Sequence, residues 1–129
     1  MPKFSEASKK KLLTCAEPLQ IICNEAIEIF DFTVLEGQRS EARQAAMYEQ
    51  GLSKLLWPNS KHNKEPSMAI DVAPYPIDWN NEERFYLLAG IFFAIAKRHN
   101  IKLRWGGDWD RDWQFNDQTF NDLPHFELI

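Results

Sequence analysis

The chain has 129 residues, 44% of them apolar and 26% charged, with a formal net charge of −4. This is enough apolar sequence for one core and too little charge for disorder, so a single domain over residues 1–129 is expected. The acidic balance lacks the basic footprint of a nucleic-acid binder and disfavours an anionic membrane surface; a monomer is the expectation.

No secretory apolar run follows Met1, and no window reaches eighteen apolar residues. Synthesis in the cytoplasm without a signal peptide, and no stable membrane association, are therefore expected. A first helix from about 5 to 15 is capped by Ser5 or Ser8 and carries Leu12, Leu13 and Cys15 on its apolar side. Pro18 restarts the helix, with Leu19, Ile22, Cys23, Ala26, Ile27 and Phe30 at 3-4 spacing. Cys15 and Cys23, eight apart in helical sequence, stand too far apart to bridge and read as reduced core thiols; without a Cys-x-x-Cys pair, a thiolate zinc site is excluded.

Phe32-Thr-Val-Leu-Glu36 reads as a strand ended by Gly37, and Ser40 caps a helix from about 41 to 50 that Gly51 stops. A loop with Trp57-Pro58 leads to Met68-Ala-Ile-Asp-Val72, a strand alternating around Asp71 and ended by Ala73-Pro74. The longest helix, about 81 to 99, is capped by Asp78 or Asn80. Its two apolar stripes, Phe85, Leu88, Phe92, Ile95 and Leu87, Ile91, Ala94, predict a helix buried on nearly all sides. His99, in a basic last turn, receives no ligand role. Ile101-Lys-Leu-Arg-Trp105 is the next strand, and Gly106-Gly107 marks a tight turn or close backbone approach. This order predicts an α+β domain: a small antiparallel sheet with a metal on one face, packed with helices.

The chemistry concentrates in two stretches, Ser60-Lys-His62 through Asp71, and Asp122-Leu-Pro-His125-Phe-Glu. Two imidazoles and a carboxylate suit zinc, which in hydrolytic sites takes three protein ligands and leaves a fourth position for water. His62, Asp71 and His125 are the candidate ligands. Asp122 stands three residues before His125, and Pro124 between them predicts a turn before an extended run. A carboxylate there can reach the attacking water without binding the metal, as a general base must. Each histidine taken singly is more often a surface or hydrogen-bonded residue than a ligand. Trp109 and Trp113 either wall a substrate groove or lid the core. Asp108, Asp110, Asp112 and Asp117 invite a calcium reading, but the run lacks the glycine and distal glutamate of an EF-hand loop.

Ser-x-His, Ala-x-Asp and Asp-x-Pro-His-Phe-Glu, with Gly37-Gln-Arg39-Ser through Gln44 and Trp105-Gly-Gly-Asp-Trp109, resemble the zinc D-Ala-D-Ala carboxypeptidase and L-alanyl-D-glutamate endopeptidase family. That family includes vancomycin-resistance dipeptidases and phage endolysins and is structurally related to the Hedgehog signalling domain. The resemblance implies a zinc peptidase acting on the stem peptide of bacterial peptidoglycan after release to the wall, most closely an endolysin cutting L-Ala-D-Glu. A D,D- or L,D-carboxypeptidase and a non-catalytic zinc-stabilised wall-binding module are the alternatives. It further implies that Arg39 enters the cleft to stabilise the oxyanion, where an ordinary surface ion pair is the plain reading, and that Ser60 contacts substrate, where a turn-opening serine is the plain reading. Eight residues separate His62 from Asp71, against six in the commoner family form, which predicts a longer surface loop between fixed ligands.

Overall fold

The computed structural model describes residues 2–114 and 121–129. Its helices are α1 (Glu6–Leu12), α2 (Glu17–Ala26), α3 (Glu41–Glu49) and α4 (Glu82–Arg98); its strands are β1 (Phe32–Glu36), β2 (Ala69–Pro74), β3 (Leu103–Gly106) and β4 (Asp122–Leu128). The strands form one antiparallel sheet in the order β1-β2-β4-β3, so the expected α+β architecture is present.

The period-2 alternation of the strands divides the sheet into two faces. Phe32, Val34, Ile70, Val72, Leu103, Trp105, Phe126 and Leu128 are buried in one core cluster with residues of α2 and α4. The rings of Phe32, Phe92, Phe126 and Trp105 run through it in succession, with centroids 5.4, 4.5 and 6.2 Å apart. Burying each such side chain contributes about 1.5–3 kcal/mol before entropy is counted. Asp71, Arg104, His125 and Glu127 alternate onto the opposite, polar face. Both cysteines are free and buried.

Several boundaries differ from expectation for identifiable reasons. Helix α1 stops at Leu12 because the chain then turns to pair with Ser67: the Ala16 N–H donates to the Ser67 carbonyl and the Ser67 N–H to the Thr14 carbonyl, each at 2.9 Å. The long His62–Asp71 interval is thus only partly a surface loop. Residues 64–66 are exposed, whereas Ser67 is buried against the junction of α1 and α2. Helix α4 is buried along one side only, through Phe85, Leu88, Ala89, Phe92, Ile95 and Ala96, while Leu87 is 55% exposed and Ala94 is exposed. A helix lying on a single sheet has one face to bury, which overrides the second apolar stripe.

Strand β2 runs through Pro74, which pairs only with β1 because β4 reaches no further along β2 than Asp71. Asp122 does not precede a turn, as expected, but opens β4. Pro124 is accommodated by a register shift between the pairs Trp105↔Phe126 and Gly106↔Asp122, where a ladder donor is not required. At Gly106 a Cβ would lie 2.0 Å from the Asp122 carbonyl oxygen, so only glycine lets β4 approach.

Candidate active site

The site grows out of one row across the polar face of the sheet. Asp71 on β2 pairs directly with His125 on β4, and on its other side with Glu36 of β1. An unbroken β1 register would place Leu35 opposite Asp71; the bulge after Val34 brings Glu36 there instead. His62 enters from outside the sheet, on a 3-10 turn over Lys61–Asn63 that Ser60 caps by accepting the His62 N–H. Asn63 closes the reciprocal cap by accepting the Ser60 N–H at 3.1 Å. Ser60 therefore opens a turn, as in its plain reading.

The three sequence-predicted ligands converge. His62 Nε2 lies 3.3 Å from Asp71 Oδ1 and 3.3 Å from His125 Nδ1, and His125 Nδ1 lies 3.2 Å from the same Asp71 oxygen. These three side chains form a group able to hold a metal ion. The other nitrogen of each imidazole has its own partner: His62 Nδ1 is 2.8 Å from the Gly37 carbonyl, and His125 Nε2 is 2.8 Å from Glu127 Oε1. A carbonyl can only accept, so His62 Nδ1 carries the proton and Nε2 turns its lone pair inward. Glu127 selects the matching tautomer of His125, the arrangement by which outer partners orient metal-binding histidines.

Asp71 Oδ2 faces Arg39 Nη2 at 3.6 Å. The guanidinium is 4% exposed, and it donates to both Glu36 oxygens at 3.0 Å and to Gln44 Oε1 at 2.8 Å. It is not the surface ion pair of the plain reading, because it is buried and borders the cleft. Gln44 in turn donates to the Leu55 carbonyl at 2.6 Å, tying Arg39 to the loop after α3.

Around this centre opens a cleft of about 830 Å³, whose lining includes Arg39, Ser60, Trp109, Asp122 and the three ligand side chains. The Trp109 ring stands 5.4 Å from that of His125. Trp113 does not line the cleft; it is 61% exposed and packs edge-on to Phe93, beside a separate cavity of about 630 Å³. Carboxylates of Asp108, Asp110 and Asp112 also approach one another, but Asp108 is engaged in ordering its loop, accepting the Trp113 N–H at 2.9 Å. Asp117 lies outside the described residues. His99 pairs with Glu25, in keeping with its having no ligand role.

The electrostatics follow from this crowding. Burial disfavours the Asp71 carboxylate, but His62 and His125 outweigh it and hold the group well below the usual range. Burial likewise disfavours the His125 imidazolium, yet hydrogen bonds to Asp71 and Glu127 raise it to about 9. Glu127, opposed by burial but bonded to His125 and Arg104, falls to about 2. Asp122 moves the other way, raised by burial and by the charge of Asp71 against the opposing pull of His125, His62 and Arg39.

A pH dependence of stability follows for the protein in the presence of a chelator. His125, raised from 6.5 to about 9, stabilises the fold fully below pH 6.5 and loses that contribution as pH climbs through 9. The depressed carboxylates, whose ordinary values are 3.8 and 4.5, stabilise above those values and lose their contribution as pH falls. Thermal unfolding with chelator should therefore be most resistant near pH 5–6 and weaken by roughly 3 kcal/mol towards pH 9. His125→Gln should flatten the alkaline limb; an unchanged limb in that variant would show that another group causes it.

Sequence reasoning missed Glu127, Glu36 and the Gly37 carbonyl. Glu127 had a legible signal, because His125 and Glu127 are two apart in a strand and share a face. Glu36 depends on the bulge and Gly37 on a backbone carbonyl, and neither leaves a side-chain pattern. Gly37 is also tightly hemmed: a Cβ there would lie 2.4 Å from Thr14 Oγ1 and 2.5 Å from the Lys11 carbonyl.

Comparison with known proteins places the chain in a family. The L-alanyl-D-glutamate peptidase of Escherichia phage T5 is 36% identical over 135 aligned positions, covering 98% of each chain. The crystal structure of the Serratia marcescens L-Ala D-Glu endopeptidase ChiX superposes with a TM-score of 0.78 at 28% identity, over 98% of this chain and 90% of that one. The sequence matches the phage L-alanyl-D-glutamate peptidase family along residues 1–129, and the chain belongs to that family of peptidoglycan hydrolases.

Proposed function

We propose that the chain cleaves the L-Ala-D-Glu bond of the peptidoglycan stem peptide in its cleft, with a zinc ion held by His62, Asp71 and His125. The observation that carries this is the spacing of the three inward-facing donors, 3.2–3.3 Å. Ligands of a tetrahedral zinc at 2.0–2.1 Å stand roughly 3.3 Å from one another, so two nitrogens and one oxygen at these separations fit the ion without rearrangement. Bound there, zinc supplies a Lewis acid that polarises the scissile carbonyl and acidifies the attacking water.

The remaining steps belong to the chain. Asp122, its pKa raised by burial and by the charge of Asp71, is a stronger proton acceptor than a solvated aspartate and takes a proton from the attacking water. As the C–N bond breaks, it returns that proton to the departing amine. Arg39 holds Asp71 Oδ2 and so aims Oδ1, and since Glu36, Gln44 and Asp71 occupy four of its five N–H groups, one is left for the oxyanion role implied by resemblance. Ser60 acts by fixing the His62 turn, and Trp109 offers a rigid apolar wall for the substrate backbone.

Among the described residues no helix is long and apolar enough to cross a membrane. Digestion of purified sacculi, with mass spectrometry of the new amino termini, tests the bond assignment. A freed D-glutamyl amine is expected. Release of D-alanine would instead identify a carboxypeptidase, and intact sacculi with zinc fully loaded would identify a binding module.

A further inference from the structure

Two cations converge on one carboxylate oxygen beside the ligands. Glu127 Oε1 is taken by His125; Oε2 receives Arg104 Nη2 at 2.9 Å and Nε at 3.2 Å, with Lys61 Nζ at 3.5 Å. One carboxylate cannot balance two full positive charges, so this wall of the cleft carries uncompensated positive charge. Arg39 and Arg43, by contrast, have two carboxylates between them: both reach Glu36, at 3.0 and 3.5 Å, and Arg39 also faces Asp71 at 3.6 Å.

Arg104 and Lys61 both line the cleft, with side chains 34% and 33% exposed, so an incoming anion can reach them. They approach from different elements, Arg104 from β3 directly across from Glu127 and Lys61 from the turn beside His62. Their shared partner Glu127 lies two residues, or about 7 Å of strand, from the ligand His125. Lys61 Nζ also donates to the Leu128 carbonyl, and a flat guanidinium next to an ammonium, which has three donors, is suited to a carboxylate.

A glutamyl residue has two carboxyl groups and only one carries the chain onward. The other remains a free anion close to the amine that this reaction releases. Resting on the peptidase reading above, we propose that Arg104 and Lys61 form a subsite for the free carboxylate of the glutamyl residue on the leaving side of the scissile bond. The enzyme then distinguishes stem peptides in which this carboxylate is free from those in which it is amidated.

The test uses a pair of synthetic stem peptides that differ only in that group, one with the carboxylate and one with its carboxamide, assayed with the zinc-loaded full chain. The wild type is expected to show a kcat/KM roughly 10- to 100-fold higher for the acid, expressed mainly in KM. Arg104→Gln and Lys61→Gln should each pull the acid-to-amide ratio towards one, and Arg104→Lys should restore part of it. Equal losses on both peptides would mean that these residues act only through Glu127, and would overturn the proposal. A wild type that cleaves both peptides alike overturns it while leaving the peptidase reading intact. A wild type that cleaves neither overturns the peptidase reading and this one together. Because Lys61 and Arg104 lie on different elements, a folding defect in one variant leaves the other to decide.

Discussion

Asp122→Asn should lower the rate of wall hydrolysis by about 10²–10⁴-fold while the protein still binds one zinc, because the change removes a proton acceptor without removing a ligand. The amide preserves the shape of the side chain, so Gly106 keeps its close approach to this backbone and β4 keeps its register. Metal analysis alongside turnover separates the two effects. In the wild type, the raised pKa of Asp122 should set the acid side of the pH profile. Activity should fall as Asp122 is protonated, at a pH above the usual 3.8, and the variant should lack that limb. Turnover at the wild-type level in the variant would move the base to another residue.

Replacing His125 with Ala should have a broader effect, because this side chain joins two otherwise separate acids. One ring nitrogen faces Asp71 and the other Glu127. Its loss leaves both carboxylates in a buried setting without their imidazole partner, which typically costs roughly 3–5 kcal/mol. Zinc content should drop to background and wall hydrolysis with it, and the urea midpoint of the chelated protein should fall. His62→Ala should lose zinc as completely but destabilise less, since Asp71 keeps His125 and Arg39. Full zinc occupancy in His125→Ala would remove this residue from the ligand set.

The sequence carried the parts of this molecule that depend on residue type and short spacing. Period-2 runs identified β1 and the neighbourhood of Asp71, the 3-4 spacing of α2 identified its buried face, and the histidine and aspartate motifs named all three converging ligands before any fold was known. Where expectation failed, a longer-range constraint had intervened. The second stripe of α4 had no partner because one sheet offers one face, and Pro124 entered a strand because a register shift spared its missing donor.

What the residues determined alone was the kind of chemistry available: two imidazoles and a carboxylate able to hold a metal, and a further carboxylate as the proposed base. Only the tertiary structure decided how those groups are aimed. The partners that select tautomers and orient Asp71 are a carbonyl at Gly37 and charged side chains at Glu36, Arg39 and Glu127, brought in by a bulge and by cross-strand pairing. Such contacts join distant segments through backbone atoms and register, quantities that a linear pattern does not encode because they exist only once the strands have paired.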